Sequence, residues 1–243
     1  MEILILLGLI IFLCYTIETI TGFGSIVIAV TFGSFLFPIP ELLPVLAPLN
    51  IILGVYIVSR YYKKIDPALL FGKILPGMVL GFLLGYGIFL QLTNTYLKSA
   101  FGIFIILVSF RELIFRLIPK LGGIKPHSTW WMLVCTIAAG VMHGIYASGG
   151  PILVYALSGL RKGKAEFRVT LSCVWLILNS TLSVLYFFKG LYNAKNLEML
   201  SYYWILIPLG IITGEKLHHV IPEEKFKIVV YGLLLFAGIA LLL

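Results

Sequence analysis

Charge is what this 243-residue sequence has least of. Asp, Glu, Lys and Arg together make up 12% of it, against 60% hydrophobic residues. A soluble domain needs a polar shell around its core, and so little charged sequence cannot supply one. Acidic residues are the scarcest, 10 against 18 basic. In a soluble protein the resulting net charge of +8 would suggest nucleic acid. Here the basic residues fall in short stretches between long apolar runs, so they read as charges that orient the chain in a bilayer, with no nucleic-acid partner. Cysteine is nearly absent. Cys14, Cys135 and Cys173 lie inside apolar runs without metal-ligand spacing, which argues against a disulfide framework and a metal site and for packing roles. Met1-Glu2 carries no positive charge and no clear cleavage site follows the run from Ile3, so that run is expected to be the first membrane helix.

What is there is a series of ten apolar segments. In the first half they cover 3–20, 25–37, 42–60, 67–91 and 96–118; in the second, 130–146, 151–160, 168–188, 199–217 and 224–243. Proline and glycine punctuate the joints, as at Pro38-Ile39-Pro40, Asp66-Pro67 and Gly122-Gly123. If the N-terminus is outside and each segment returns the chain across the membrane, only Lys98, Lys189 and Lys195 of the 18 Lys and Arg fall on the outer side. That bias predicts a multi-pass protein of the cell membrane with both termini outside. Treating 3–37 as a single kinked crossing would instead put Arg60, Lys63 and Lys64 outside, against the rule. Segments 25–37 and 151–160 fall short of the roughly 20 residues that a straight span needs. They are expected to be partial or half-membrane helices, either crossing with their neighbours or forming re-entrant pairs.

Five segments per half is an odd number, so a second copy of the first half must lie upside down. The expected fold is an all-α polytopic membrane protein of two inverted-topology repeats, each starting with a broken or half-membrane helix pair. The repeats would be residues 1–121 and 129–243, joined by a linker at 122–128. Short matches in common order support the repeat. Asn50-Ile51-Ile52-Leu53 resembles Asn179-Ser180-Thr181-Leu182, Pro76-Gly77 with Gly81 resembles Pro208 with Gly210 and Gly214, and Phe101-Gly102 resembles Tyr231-Gly232. Gly77, Gly81 and Gly85 recur every four residues, a spacing that lets helix backbones approach closely.

Two glycine-broken segments, 126 residues apart at Gly24 and Gly150, stand out: Glu18-Thr19-Ile20-Thr21-Gly22-Phe23-Gly24-Ser25 and His143-Gly144-Ile145-Tyr146-Ala147-Ser148-Gly149-Gly150-Pro151. Paired interruptions in corresponding places of two halves point to a transport site between them. Exposed backbone at membrane depth is tolerated only in a protein interior or a wet cavity. Glu18 is the one acidic residue well inside an apolar segment, and His143 the one histidine so placed. Buried ionisable groups in a membrane are costly and suggest proton coupling. Their plainer roles are a vestibule carboxylate and a packing imidazole. His127, His143 and the His218-His219 pair lie in separate places, so no enzyme constellation forms. An ion channel usually needs a ring of identical filter segments from several chains, which one chain with two such breaks does not.

At the two breaks the chain resembles the TauE/SafE sulfite exporter family, also described as 4-toluene sulfonate uptake permeases. Thr21-Gly22-Phe23-Gly24-Ser25 and Ala147-Ser148-Gly149-Gly150-Pro151 are similar to its glycine-rich signatures. Arg60 to Asp66 followed by Pro76-Gly77 is similar to its first repeat, and Pro208–Gly214 with Glu224–Gly238 to its second. The resemblance implies a secondary transporter of small sulfur-containing anions, driven by an ion gradient such as protons, without a cofactor and with homo-oligomerisation open. The first break here reads Gly-Phe-Gly-Ser where the family favours three glycines, which leaves the exact substrate open; another small anion such as a carboxylate is the alternative. Helix N-termini suit such a ligand, because their unpaired N–H groups and dipole favour negative charge. Expected donors are the amides of Gly22, Gly24, Ser25, Gly149 and Gly150 and the hydroxyls of Thr21, Ser25 and Ser148. Asn50 and Asn179 are either further donors or interhelical hydrogen-bonding residues. Glu18 and His143 are the expected proton carriers.

Overall fold

The computed structural model describes residues 2–118, 128–157, 163–217 and 223–243. These residues form helices and no strand. Ten helical segments follow in order. They are α1 (Glu2–Thr21), α2 (Ser25–Gly33), α3 (Ile39–Tyr61), α4 (Pro67–Phe89) and α5 (Asn94–Leu117). After them come α6 (Thr129–Tyr146), α7 (Gly150–Ala156), α8 (Lys164–Phe188), α9 (Ala194–Leu217) and α10 (Glu223–Ala240). These elements track the ten apolar segments of the sequence. Most of the expected 122–128 linker lies outside the described residues, as do positions 158–160 of the segment expected at 151–160.

Local chemistry sets the helix starts. Asp66 accepts from the Leu69 amide at 2.9 Å just before Pro67, Ser128 from the Trp131 amide at 3.2 Å, and Asn193 from the Asn196 amide at 2.9 Å. Among the described residues, six helical stretches are long and apolar enough to cross a membrane: α1, α3 extended to Lys64, α4, α6, α8 and α9. Of the other long helices, α5 carries Lys98, Arg111, Glu112 and Arg116. α2 has nine residues and α7 has seven. At about 1.5 Å per residue α2 extends about 14 Å, half of a hydrocarbon core. The expected short helices are therefore short in space, and α2 ends four residues before its expected limit at Phe37, where the chain turns through Ser34–Phe37.

Packing pairs the helices reciprocally. α1 lies against α9, and α4 lies against α6. The first helix of one half thus meets the fourth of the other, in both directions. α3 packs on α8, and α5 on α10. Exchange of partners of this kind is what a two-fold relation between halves requires. The α4–α6 contact is backbone against backbone. A Cβ added at Gly81 would overlap the Ile137 carbonyl, one at Gly85 the Val141 carbonyl, and one at Gly144 the Phe82 carbonyl. Gly210 and Gly214 likewise face Phe12, Thr16 and Thr19 of α1. The Phe101-Gly102 and Tyr231-Gly232 match behaves differently. Gly102 faces Gly238, whereas Gly232 looks into open space.

Large apolar side chains remain exposed along the outside, among them Leu9 and Leu13 of α1, Leu80 and Leu83 of α4, and Leu233 and Phe236 of α10. Exposed faces of this extent belong against lipid. The polar side chains Glu18, Asn50, His143 and Asn179 are buried inside.

Candidate functional site

α1 ends and α2 begins across Gly22, Phe23 and Gly24. Gly22 has φ 85° and Gly24 φ 106°, a left-handed backbone that only glycine adopts without strain. The second break is built otherwise. Ala147 takes the left-handed turn at φ 53°, while Gly149 has φ −84°. Gly149 is needed for space instead, since a Cβ there would overlap the Ala139 carbonyl of α6. Two glycine-rich motifs that look alike in sequence thus rest on different physics.

The carboxylate of Glu18 turns back over the first break. Its Oε2 accepts from the backbone N–H of Ser25, the first residue of α2, at 2.9 Å. The Asn50 side-chain amide donates to Glu18 Oε1 at 3.2 Å and Oε2 at 3.3 Å, and to Ser25 Oγ at 3.1 Å. Asn179 Nδ2 in turn donates to Asn50 Oδ1 at 2.8 Å, which joins α3 to α8 at the centre of the molecule. A carboxyl group of the protein itself therefore already occupies the start of α2. The second half has no counterpart. At the same 126-residue offset Ser25 falls on Pro151, which lacks an N–H, and Glu18 on Gly144, which lacks a side chain.

Beside this network lies a cavity whose empty volume, open solvent included, is about 250 Å³. Glu18, Gly24, Asn50, Ser148, Gly150 and Asn179 line it, together with Ile26, Val27, Ala147 and Trp175. Both breaks and both asparagines of the sequence pattern thus meet at one place. The Ser148 hydroxyl is buried and makes no hydrogen bond among the described residues. Ser25 stands one contact back, holding Glu18 and Asn50. Thr21 and Gly22 are not in the wall. The Thr21 hydroxyl is spent on the Ile17 and Phe23 carbonyls at 2.9 and 2.8 Å, and Gly22 packs on Arg168. Gly149 supports α6 and does not line the cavity.

His143 is fully buried behind Trp175, its ring stacked on the indole at 5.4 Å with planes 10° apart and tilted against Phe82 at 6.2 Å. Neither ring nitrogen makes a hydrogen bond of good geometry among the described residues, although the Asn179 side chain is close enough to interact. Trp175 escaped the sequence reading. A signal for it was present, because it stands four residues before Asn179 and so on the same face of α8. Among the described residues, no group of three His, Cys, Asp or Glu side chains can hold a metal.

A bundle of helices long and apolar enough to cross a membrane, with two broken segments meeting at a cavity that Glu18, Asn50, Ser148 and Asn179 help to line, has the architecture of a membrane transporter. The sulfite exporter TauE/SafE family model matches residues 7–241, and the chain belongs to that family. A relative from Comamonas testosteroni, described as "Probable inner membrane transporter protein TsaS", is 25% identical over 173 residues, covering 70% of each chain. No solved structure matches. The family and the relative are exporters or transporters, in line with the expectation that the chain is not an enzyme.

Proposed function

We propose that the protein is a secondary transporter of small sulfur-containing anions, sulfite or a sulfonate, across the inner membrane. The anion would bind in the cavity between the breaks. Transport would be proton-coupled through Glu18, with alternating access between two inverted repeats. The observation that carries this reading is the Glu18 carboxylate on the Ser25 amide. Ionised Glu18 occupies the donors an anion would use and repels it besides. Two unit charges about 4 Å apart at an effective dielectric constant of about 20 differ in energy by about 4 kcal/mol, which is roughly a thousandfold in affinity. Protonation removes the repulsion and loosens the hold on Ser25 and Asn50, so proton and anion occupancy are linked. A released anion site would draw on the α2 amides, the Asn50 and Asn179 side chains, the Ser148 hydroxyl and the backbone at Gly150. His143, behind Asn179, is the second proton-carrying candidate. The reciprocal pairing of α1 with α9 and α4 with α6 supports the repeat arrangement that alternating access needs.

The test is Glu18→Gln, a neutral isostere. In proteoliposomes, uptake of a sulfonate, whose charge does not change over this pH range, should rise with the native protein as the pH on the substrate side falls toward the range where Glu18 protonates. The variant should bind the sulfonate with the same affinity at each pH and should no longer move protons with it. A variant that keeps the native pH profile would sink the coupling role of Glu18, and a native protein that accumulates carboxylates but neither sulfite nor sulfonates would sink the substrate assignment.

A further inference from the structure

The cavity accounts for one face of α8 only in part. Arg168, Trp175 and Asn179 share that face, Arg168 lying eleven residues before Asn179 and so about 16 Å from it along the helix axis. Four elements converge on this guanidinium. Its Nη2 donates to Glu215 Oε1 near the end of α9 at 3.0 Å. Its Cζ lies 5.9 Å from the ring of Tyr61, the last residue of α3. Its Cγ fills the space over Gly22, where an added Cβ would come within 2.9 Å. It is also close enough to Glu18 to interact with that carboxylate electrostatically. The Arg168 Nε is buried with no hydrogen-bond partner among the described residues. Tying two helices together does not require a partly buried guanidinium with an unfilled donor, which is a costly arrangement.

The far end of the molecule is built differently. The repeat offset of Gly81 and Gly214 sets Phe82 opposite Glu215, and that of Asn50 and Asn179 sets Ile39 opposite Arg168. Toward that end, Tyr86, Phe89 and Tyr186 pack with ring centroids 5.8 to 6.3 Å apart. Aromatic rings thus pack toward one end of α8 and an ion pair toward the other.

We propose that Arg168 is a second anion-binding position, on the route between the cavity and the end of the molecule that carries Arg60 and Lys64, and that the Glu215 carboxylate holds it when no substrate is present. The ligand is a small oxyanion with two oxygens side by side, the shape a guanidinium fork takes best. An arriving anion displaces Glu215 from Arg168, freeing α9 from α8, and then passes the first break to the cavity. This rests on the anion-transport reading above.

Counterflow of labelled sulfite in proteoliposomes with the full chain tests it. Glu215→Gln should lower the KM for sulfite about three- to tenfold, since a competing carboxylate is gone, while Arg168→Gln should raise it about tenfold. Arg168→Lys should fall between, keeping the charge and losing the fork. The exchanged pair Arg168→Glu with Glu215→Arg restores an ion pair in place, and its KM should stay as high as that of Arg168→Gln. Recovery of the native KM by the exchanged pair would show a structural tie and overturn the proposal. So would native KM values in both Glu215→Gln and Arg168→Gln. If Arg168→Gln does not fold, Arg168→Lys and Glu215→Gln decide the matter by the same criterion. A folded native protein that moves no sulfite or sulfonate overturns the transport reading, and this proposal with it.

Discussion

The polar centre of this protein is four side chains deep. Glu18, Ser25, Asn50 and Asn179 hold one another in a chain that runs from α1 through α2 and α3 to α8. Each satisfies a neighbour that would otherwise be an orphan in an apolar interior, where an unmet polar group is expensive. Removing Asn179 leaves Asn50 Oδ1 without its donor. Asn179→Ala should therefore destabilise the detergent-solubilised protein by about 0.5–2 kcal/mol, the span from membrane-protein to model-peptide values for interhelical hydrogen bonds. A thermal-unfolding series against native protein measures this, and an unchanged midpoint would mean that the α3–α8 bond contributes nothing. Sulfite affinity should fall in the same variant, since Asn179 lines the cavity.

At the scale of elements, the glycines divide into two kinds. Gly22 and Gly24 permit a left-handed turn, while Gly81, Gly85, Gly140 and Gly144 clear the way for one backbone to lie on another. The second kind gives a sharp contrast on α4. A side chain at Gly81 drives into the Ile137 carbonyl, whereas Gly87 looks into open space. Gly81→Leu is expected to separate α4 from α6 and cost more than about 3 kcal/mol, as overpacking against rigid backbone does at its upper end. Gly87→Ala is expected to be neutral or stabilising by up to about 1 kcal/mol, because alanine is the better helix former. Melting temperatures of the two purified variants decide it, and equal values would sink the close-packing account.

At the scale of the whole molecule, the reciprocal helix pairing and the distribution of lysine and arginine make one joint prediction. If the chain returns to one face before α3 and again before α8, the positive-inside bias predicts both termini outside. Single cysteines introduced at Leu243 and at Lys63, in a background lacking Cys14, Cys135 and Cys173, should react differently with a membrane-impermeant maleimide on intact cells. The position at Leu243 should label and the one at Lys63 should not. The reverse pattern would invert the molecule and exchange the sides that Arg168 and the aromatic cluster face.

Much of the fold was legible in the sequence because membrane helices are marked by length and apolarity, and no water is present to satisfy a broken backbone. The segment 67–91 appears as α4 within two residues at its end, and the short lengths of 25–37 and 151–160 foretold α2 and α7. The candidate site was legible in part where residues repeat: Asn50 with Asn179 and Gly24 with Gly150 come together in one cavity wall, joined by Glu18 and Ser148, which are not a repeat pair. What only the tertiary structure decided is how those groups are spent. Sequence offered the start of α2 as a vacant anion site, and the fold fills it with Glu18. Sequence gave Thr21 and Gly22 the same standing as Gly24, and the fold turns one to its own backbone and sets the other against Arg168. Spacing along a helix determines which residues share a face. Which partner waits opposite that face depends on how separate helices cross, and no local pattern encodes the distance from Arg168 to Glu215 or from Glu18 to Ser25.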